Sequence, residues 1–387
     1  MAKKAVFLGA PRHPPAVDHS NLLEAWHAIT QNTGNLLIGH SLAKQLDFDF
    51  IDYRSRLDPA EAREQCQFIV IAAANFINER SDFSEWARFI EAADLPCLVV
   101  GLGGQAPSFR NEVILKEGTE RFLRAFADRS VTIGVRGANT AQLLSDYGVK
   151  NVEITGCPSL HMALGEPLPL KKPNLETVDT FVLNGSRDVL VHSVDEAAMT
   201  RVIGELYRQA IEHGIHLVLQ TETDEMKLLE RKLPEPELHE ATVRITKRVP
   251  ALASLSPEVV REWVEARTHV FFDVESWLKF IGPKSVSIGT RFHGNLIAVH
   301  AGVPSLFICH DARTLEMCQF TRLPYVEVDR IKDMRLKAMA EMIDMSAYVR
   351  RLKRLTSDYA EFLSRNCVPH RFLNEATSAN TDAANGP

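Results

Sequence analysis

"SVSIGTRFHGNLIAVHAGVPSLFIC", residues 285–309, holds two strand-like runs with a small-residue helical segment between them. The runs at 285–289 and 304–309 are short, apolar and β-branched, as strands of a parallel sheet covered on both faces are. "NLIAVHAG" (295–302) reads as the crossover helix, so the stretch predicts one strand–helix–strand unit. Its turn, "TRFHG", would then lie at the carboxyl end of a parallel strand, where open α/β sheets place their ligands.

The same alternation extends outward in both directions. Upstream, strands are expected at 5–10, 47–52, 68–73, 97–103, 130–136 and 152–156, with helical patterns at 35–46, 82–93 and 138–148. The pattern breaks over "LGEPLPLKKPNLETV" (164–178), whose prolines and lysines mark a linker. It restarts with strands at 180–186, 216–221 and 269–273 and helices at 194–214 and 274–282, and a final amphipathic helix spans 346–366. The fold class expected is therefore α/β, as two doubly wound lobes with the active site in the cleft between them. Residues 1–165 form the N-terminal lobe and 166–178 the linker. Residues 179–345 form the C-terminal lobe, 346–373 a helix packing back across both, and 374–387 a polar, disordered tail.

Composition narrows the function classes. A chain of 387 residues exceeds one ordinary core, which agrees with two lobes. Its net charge of −6 speaks against nucleic acid as a partner. Six cysteines stand singly with no C-x-x-C pair, which indicates buried thiols in a reducing compartment rather than a zinc or disulfide framework. "MAKKAVFLGAP" (1–11) reads better as a first strand than as a signal peptide, and no stretch has the ~20 apolar residues that span a bilayer. A cytoplasmic protein is expected. The basic stripe "VRRLKRL" (349–355) reads first as the polar face of the last helix; the alternative is peripheral attraction to anionic lipid at the inner membrane face.

The turn suggests a chemistry. Arg291 offers a forked donor pair to a carboxylate or phosphate. His293 can give or take a proton near neutral pH. Gly294 would let a ligand approach the backbone, and Asn295 would cap a helix whose free N–H groups favour anions. Together they describe a pocket for an anionic substrate on which a proton moves. An R-x-H-G string by itself recurs by chance; its place between strand and helix gives it weight.

At these residues the chain resembles the polysaccharide pyruvyl transferase family. The run 274–308, "VESWLKFIGPKSVSIGTRFHGNLIAVHAGVPSLFI", carries the resemblance: a strand ending in R-x-H-G, a small-residue helix and G-V-P before the next strand. "NTGNLLIGHSLAKQL" (32–46) is similar to the family's N-terminal glycine turn and helix, and "VTIGVRGANTAQLLSDYGVKNVEITGCPSL" (131–160) to its arginine-bearing segment. "HDARTLEM" (310–317) resembles a D-x-R-T-x-E segment of some members. The resemblance implies two Rossmann-like lobes of the glycosyltransferase-B kind. It implies transfer of pyruvate from phosphoenolpyruvate to a sugar as a cyclic ketal, in the making of a cell-surface polysaccharide or its precursor.

It also implies roles. His293 and Arg291 would be catalytic. Arg136 would clamp the donor from the first lobe, which is taken as the acceptor side, and Gly294 and Asn295 would border the donor. Asn32, Gly34, Asn35, Asp311, Arg313 and Glu316 would bind substrate. No metal or cofactor is expected, phosphoenolpyruvate being a substrate, and the acceptor is a sugar or a lipid-linked glycan. Two positions depart from the family pattern: Asn35 replaces an aspartate, and "AAAN" (72–75) replaces glycines. A nucleotide-sugar glycosyltransferase with its pocket at 311–316, or a non-catalytic glycan-binding relative, stays open. Oligomeric state is not legible.

Overall fold

The structure, a computed structural model, describes residues 3–14, 17–18, 20–53, 57–104, 113–185 and 193–372. The expected tail, 374–387, lies outside the described residues.

Twelve strands occur in order: β1 (Lys4–Gly9), β2 (Asp49–Asp52), β3 (Phe68–Ala72), β4 (Cys97–Val100), β5 (Ile133–Val135), β6 (Val152–Ile154), β7 (Phe181–Leu183), β8 (His216–Val218), β9 (Thr268–His269), β10 (Val286–Gly289), β11 (Ser305–Cys309) and β12 (Tyr325–Glu327). All are parallel. The first lobe has the order β2-β1-β3-β4, and the pair β5-β6 joins β4 through a bridge between Leu102 and Val135. The second lobe has the order β9-β8-β7-β10-β11-β12, the Rossmann order when its strands are counted from β7. That order reverses between β7 and β10, so the crevice of the second sheet opens at the carboxyl end of β10, beside the "TRFHG" turn.

The alternation read from the sequence is thus present, with local differences. The strand expected at 269–273 shrinks to Thr268–His269, because Phe271 turns to stack on Trp277 and Phe272 joins a separate apolar cluster with Ala25 and Ile29. Residues 222–267, which carried no assignment, form the helices Thr223–Glu230, Glu235–Arg248 and Pro257–Arg267. The crossover helix runs over Phe292–His300, three residues ahead of its expected start, with Arg291 at the N-cap position. Every residue of that helix but His293 is buried, as a helix apolar all round should be.

That helix also joins the lobes. Leu296, Ile297 and Val299 share one apolar cluster with Leu37, Ile38 and Leu42 of the first-lobe helix Gly34–Gln45. The last helix, Ser346–Arg365, straps across both: Tyr359 donates to Gln45 Oε1 at 2.8 Å and Arg351 donates to the Phe320 carbonyl at 2.6 Å. Its residues Arg350, Lys353 and Arg354 face outward. Among the described residues no helix is long and apolar enough to cross a membrane.

Candidate active site

Strand ends from both lobes meet in one cleft. Asn32, Asn35, Ala74, Asn75 and Arg136 line it from the first lobe; Gln220, Thr290, Arg291, His293 and Arg313 line it from the second. Its empty space, open mouth included, is ≈ 430 Å³.

Arg136 follows β5 directly and is 2% exposed. Its Nε donates to the Gly101 carbonyl at 2.8 Å and its Nη1 to Asn75 Oδ1 at 2.7 Å; its buried Nη2 has no partner. No carboxylate lies within ion-pair distance among the described residues, so both partners of this buried cation are neutral. Burial and the neighbouring Arg313 work against its charge. The loop "GLGG" (101–104) is its bed: a Cβ on Gly103 would stand 2.9 Å from the Arg136 side chain.

Arg291 is arranged differently. Its guanidinium meets Thr221 Oγ1 and, at 3.2 Å, Glu222 Oε1, a carboxylate 1% exposed. Glu222 in turn accepts the backbone N–H groups of Gln220 and Thr221 at 2.6 and 2.9 Å. The charge expected to await a donor anion is therefore matched inside its own lobe, and Arg291 borders the cleft as half of an ion pair. Arg313 likewise pairs with Asp311 at 3.0 Å.

His293 sits between these groups. Its Nε2 lies 3.4 Å from the Cys157 sulfur, the one hydrogen-bond partner of the ring among the described residues. Burial, then Arg136 and Arg313, lower its pKa well below the usual imidazole value. The ring is accordingly neutral at pH 7.

The remaining expected residues divide. Asn295 neither caps the helix nor reaches the cleft. It is buried in the first turn, donating to the Gly289 carbonyl at 2.8 Å and accepting from Ser287 Oγ at 2.7 Å, so it locks the strand–helix turn. Gly294 is required by packing: a Cβ there would lie 2.5 Å from Asn184 Oδ1 and 2.7 Å from Gln220 Nε2. Gly34 plays the same part across the lobes, its virtual Cβ falling 2.6 Å from Gln220 Oε1 and 3.2 Å from His293 Cβ. Asn32 accepts the Gly34 N–H at 2.9 Å, and Asn35 donates to Thr30 Oγ1 at 2.9 Å.

Asp311 caps the helix Ala312–Thr321 through Thr314. Burial alone would raise its carboxyl, but Arg313, His310 and Thr314 hold it down at about 2. Glu316 accepts from the N–H and hydroxyl of Thr140 at 3.2 and 2.8 Å, which ties the lobes together behind the cleft. A pocket at 311–316 is thus reduced to Arg313. Among the described residues no group of three or more His, Cys, Asp or Glu could hold a metal ion.

Sequence reading missed Gln220, Thr290 and Cys157. Gln220 Nε2 and Thr290 Oγ1 are buried on the cleft wall without partners among the described residues, like Arg136 Nη2, and such groups are rare unless something fills the site. Gln220 ends the strand-like run "HLVLQ" and Cys157 follows "VEITG", so position after a strand was the available signal.

The sequence profile of one family, "Polysaccharide pyruvyl transferase", matches residues 32–311. No curated protein matches by sequence. Among solved structures, the chain is similar to UDP-GlcNAc 2-epimerase from Neisseria meningitidis bound to UDP-GlcNAc: 11% identity, 94% of this chain and 100% of that one covered, TM-score 0.43. MnaA of S. aureus with UDP gives 12% identity, 91% of both chains and TM-score 0.42. Glycosyltransferase SnogD from Streptomyces nogalater gives 13%, 94% and 96%, and 0.32.

Proposed function

Since the chain belongs to the polysaccharide pyruvyl transferase family, we propose that it transfers pyruvate from phosphoenolpyruvate to two hydroxyls of a sugar, in the making of a cell-surface polysaccharide or its precursor. The observation that carries the reading is Arg136: a buried guanidinium with neutral partners and an empty Nη2, opening on the cleft that His293 lines. Such a group is completed by an anion.

In this reading Arg136 and Arg313 receive the carboxylate and phosphate of the donor, and Gln220 and Thr290 take up remaining acceptors. Neutral His293 delivers a proton to the C3 methylene, which becomes a methyl group, as the oxygen of the first sugar hydroxyl bonds to C2 of the donor, and the ring takes that hydroxyl's proton in its place. Phosphate then departs with the C2–O bond electrons. The second hydroxyl closes the ketal and its proton leaves on the phosphate. A bound dianion offsets the two arginines beside the ring while its proton is exchanged. The path needs neither metal nor organic cofactor. If the acceptor is lipid-linked, exposed Arg350, Lys353 and Arg354 supply a positive strip toward an anionic membrane face.

Calorimetric titration with phosphoenolpyruvate tests this. Wild type should bind saturably, and His293→Ala should bind within a few-fold yet lose roughly 10³-fold in phosphate release with a competent sugar acceptor. Absence of binding by folded wild type, with sugar acceptors present, would overturn the donor assignment.

A further inference from the structure

The turn "GCPS" (156–159) stands beneath His293 and has no part in the reading above. Cys157 is fully buried, yet its sulfur joins two polar groups: Ser159 Oγ donates to it at 2.9 Å, and His293 Nε2 lies 3.4 Å away. The turn is pinned from three sides. Gln45 donates to the Pro158 carbonyl at 2.7 Å, His300 Nε2 meets the Ser159 carbonyl at 2.7 Å, and Thr155 and Gly156 both donate to the Val135 carbonyl at 3.0 Å. The sulfur therefore has a defined place relative to the ring.

The direction of the chain follows from its members. Ser159 gives its hydroxyl proton to the sulfur, which leaves the S–H free to point at His293 Nε2, and a nitrogen that meets an S–H is an acceptor. A neutral imidazole accepting at Nε2 carries its proton on Nδ1. No described residue hydrogen-bonds Nδ1, and the ring lines the cleft. We propose that Cys157 is a positioning residue: its thiol, oriented by Ser159, fixes His293 as the Nδ1–H tautomer, so that Nδ1 is the nitrogen presented to the substrate. The inference rests on His293 as the proton carrier of the proposed reaction for its functional meaning, though not for the tautomer itself.

The Cys157 variants separate the two. Protein with ¹⁵N-labelled histidine, compared with a His293→Gln sample to identify the ring's signals, should give Nδ1–H and unprotonated Nε2 shifts for His293 at pH 7.5. Cys157→Ser keeps an O–H donor and should preserve that pattern; Cys157→Ala should move the ring toward Nε2–H. In turnover, Cys157→Ala should lose about tenfold in kcat with KM for phosphoenolpyruvate little changed, and Cys157→Ser should recover most of it. An Nε2–H or doubly protonated ring in wild type, or identical spectra for Cys157→Ala and wild type, would overturn the proposal. The expected spectra in a protein that does not bind phosphoenolpyruvate would uphold the positioning and sink the reaction instead.

Discussion

The two walls of the cleft are charged by different rules. On the second-lobe wall each arginine has a carboxylate of its own lobe: Arg291 faces Glu222 and Arg313 faces Asp311. On the first-lobe wall Arg136 rests on a backbone carbonyl and an asparagine, and its Nη2 is bare. The two arginines of the second wall are thus matched by carboxylates before any ligand arrives. The first wall leaves a guanidinium nitrogen without a partner among the described residues, and in the proposed reading an anion fills that place. The recognisable motif and the unmatched charge lie on opposite sides.

Exchanging arginines for glutamines should reverse the roles of the two walls. Arg291→Gln takes a guanidinium away from the buried Glu222, so its main effect should be on folding, a loss of about 3–5 kcal/mol. Urea unfolding would measure it, and adding Glu222→Gln should restore more than half. If Arg291→Gln instead leaves stability untouched and abolishes donor binding, the contrast between the walls is wrong.

Arg136→Gln should do the opposite. It removes a buried cation that no carboxylate among the described residues meets within ion-pair distance, so stability should hold or rise while affinity for phosphoenolpyruvate falls roughly 30–100-fold, about 2–3 kcal/mol. Calorimetry and a thermal melt on the same sample would decide. Arg136→Lys should recover little, because a point charge replaces neither the fork nor its fit to Gly101 and Asn75.

A pH effect concerns what lies under both walls. Burial holds the His161 imidazole down at about 3 and those of His300 and His310 at about 4. The unfolded chain takes up protons at these rings near pH 6.5 and the folded chain does not. Stability is therefore complete above that pH and lost as pH falls toward about 4, each ring contributing up to about 1.4 kcal/mol per pH unit. Urea unfolding at pH 7 and pH 5 should show the loss, and His161→Gln should lessen it. Equal stability at both values would mean that these rings are not buried neutral.

Much of this was legible along the chain. The strand runs at 68–73, 97–103, 285–289 and 304–309 announce themselves by continuous apolar, β-branched residues, because strands covered on both faces admit little else. The R-x-H-G turn was readable because strand and helix meet there, and His293 lies on the cleft as that placement required. The helices of 223–267 were less visible, their surface faces crowded with charge. The role of Asn295 was misread because a cap and a first-turn lock use the same side chain, and only the true start of the helix separates them.

The sequence alone determined two parallel α/β lobes, a cleft at strand ends and the identity of its histidine, since these follow from local periodicity and from one contiguous motif. Only the tertiary structure decided which arginine is open to an anion, that Glu316 ties lobes rather than lining a pocket, and that Cys157 meets His293 across 136 residues. The reason is physical. A side chain's charge is set by what faces it in space, and Glu222, Asn75 and Cys157 come to face these groups only when distant strand ends converge.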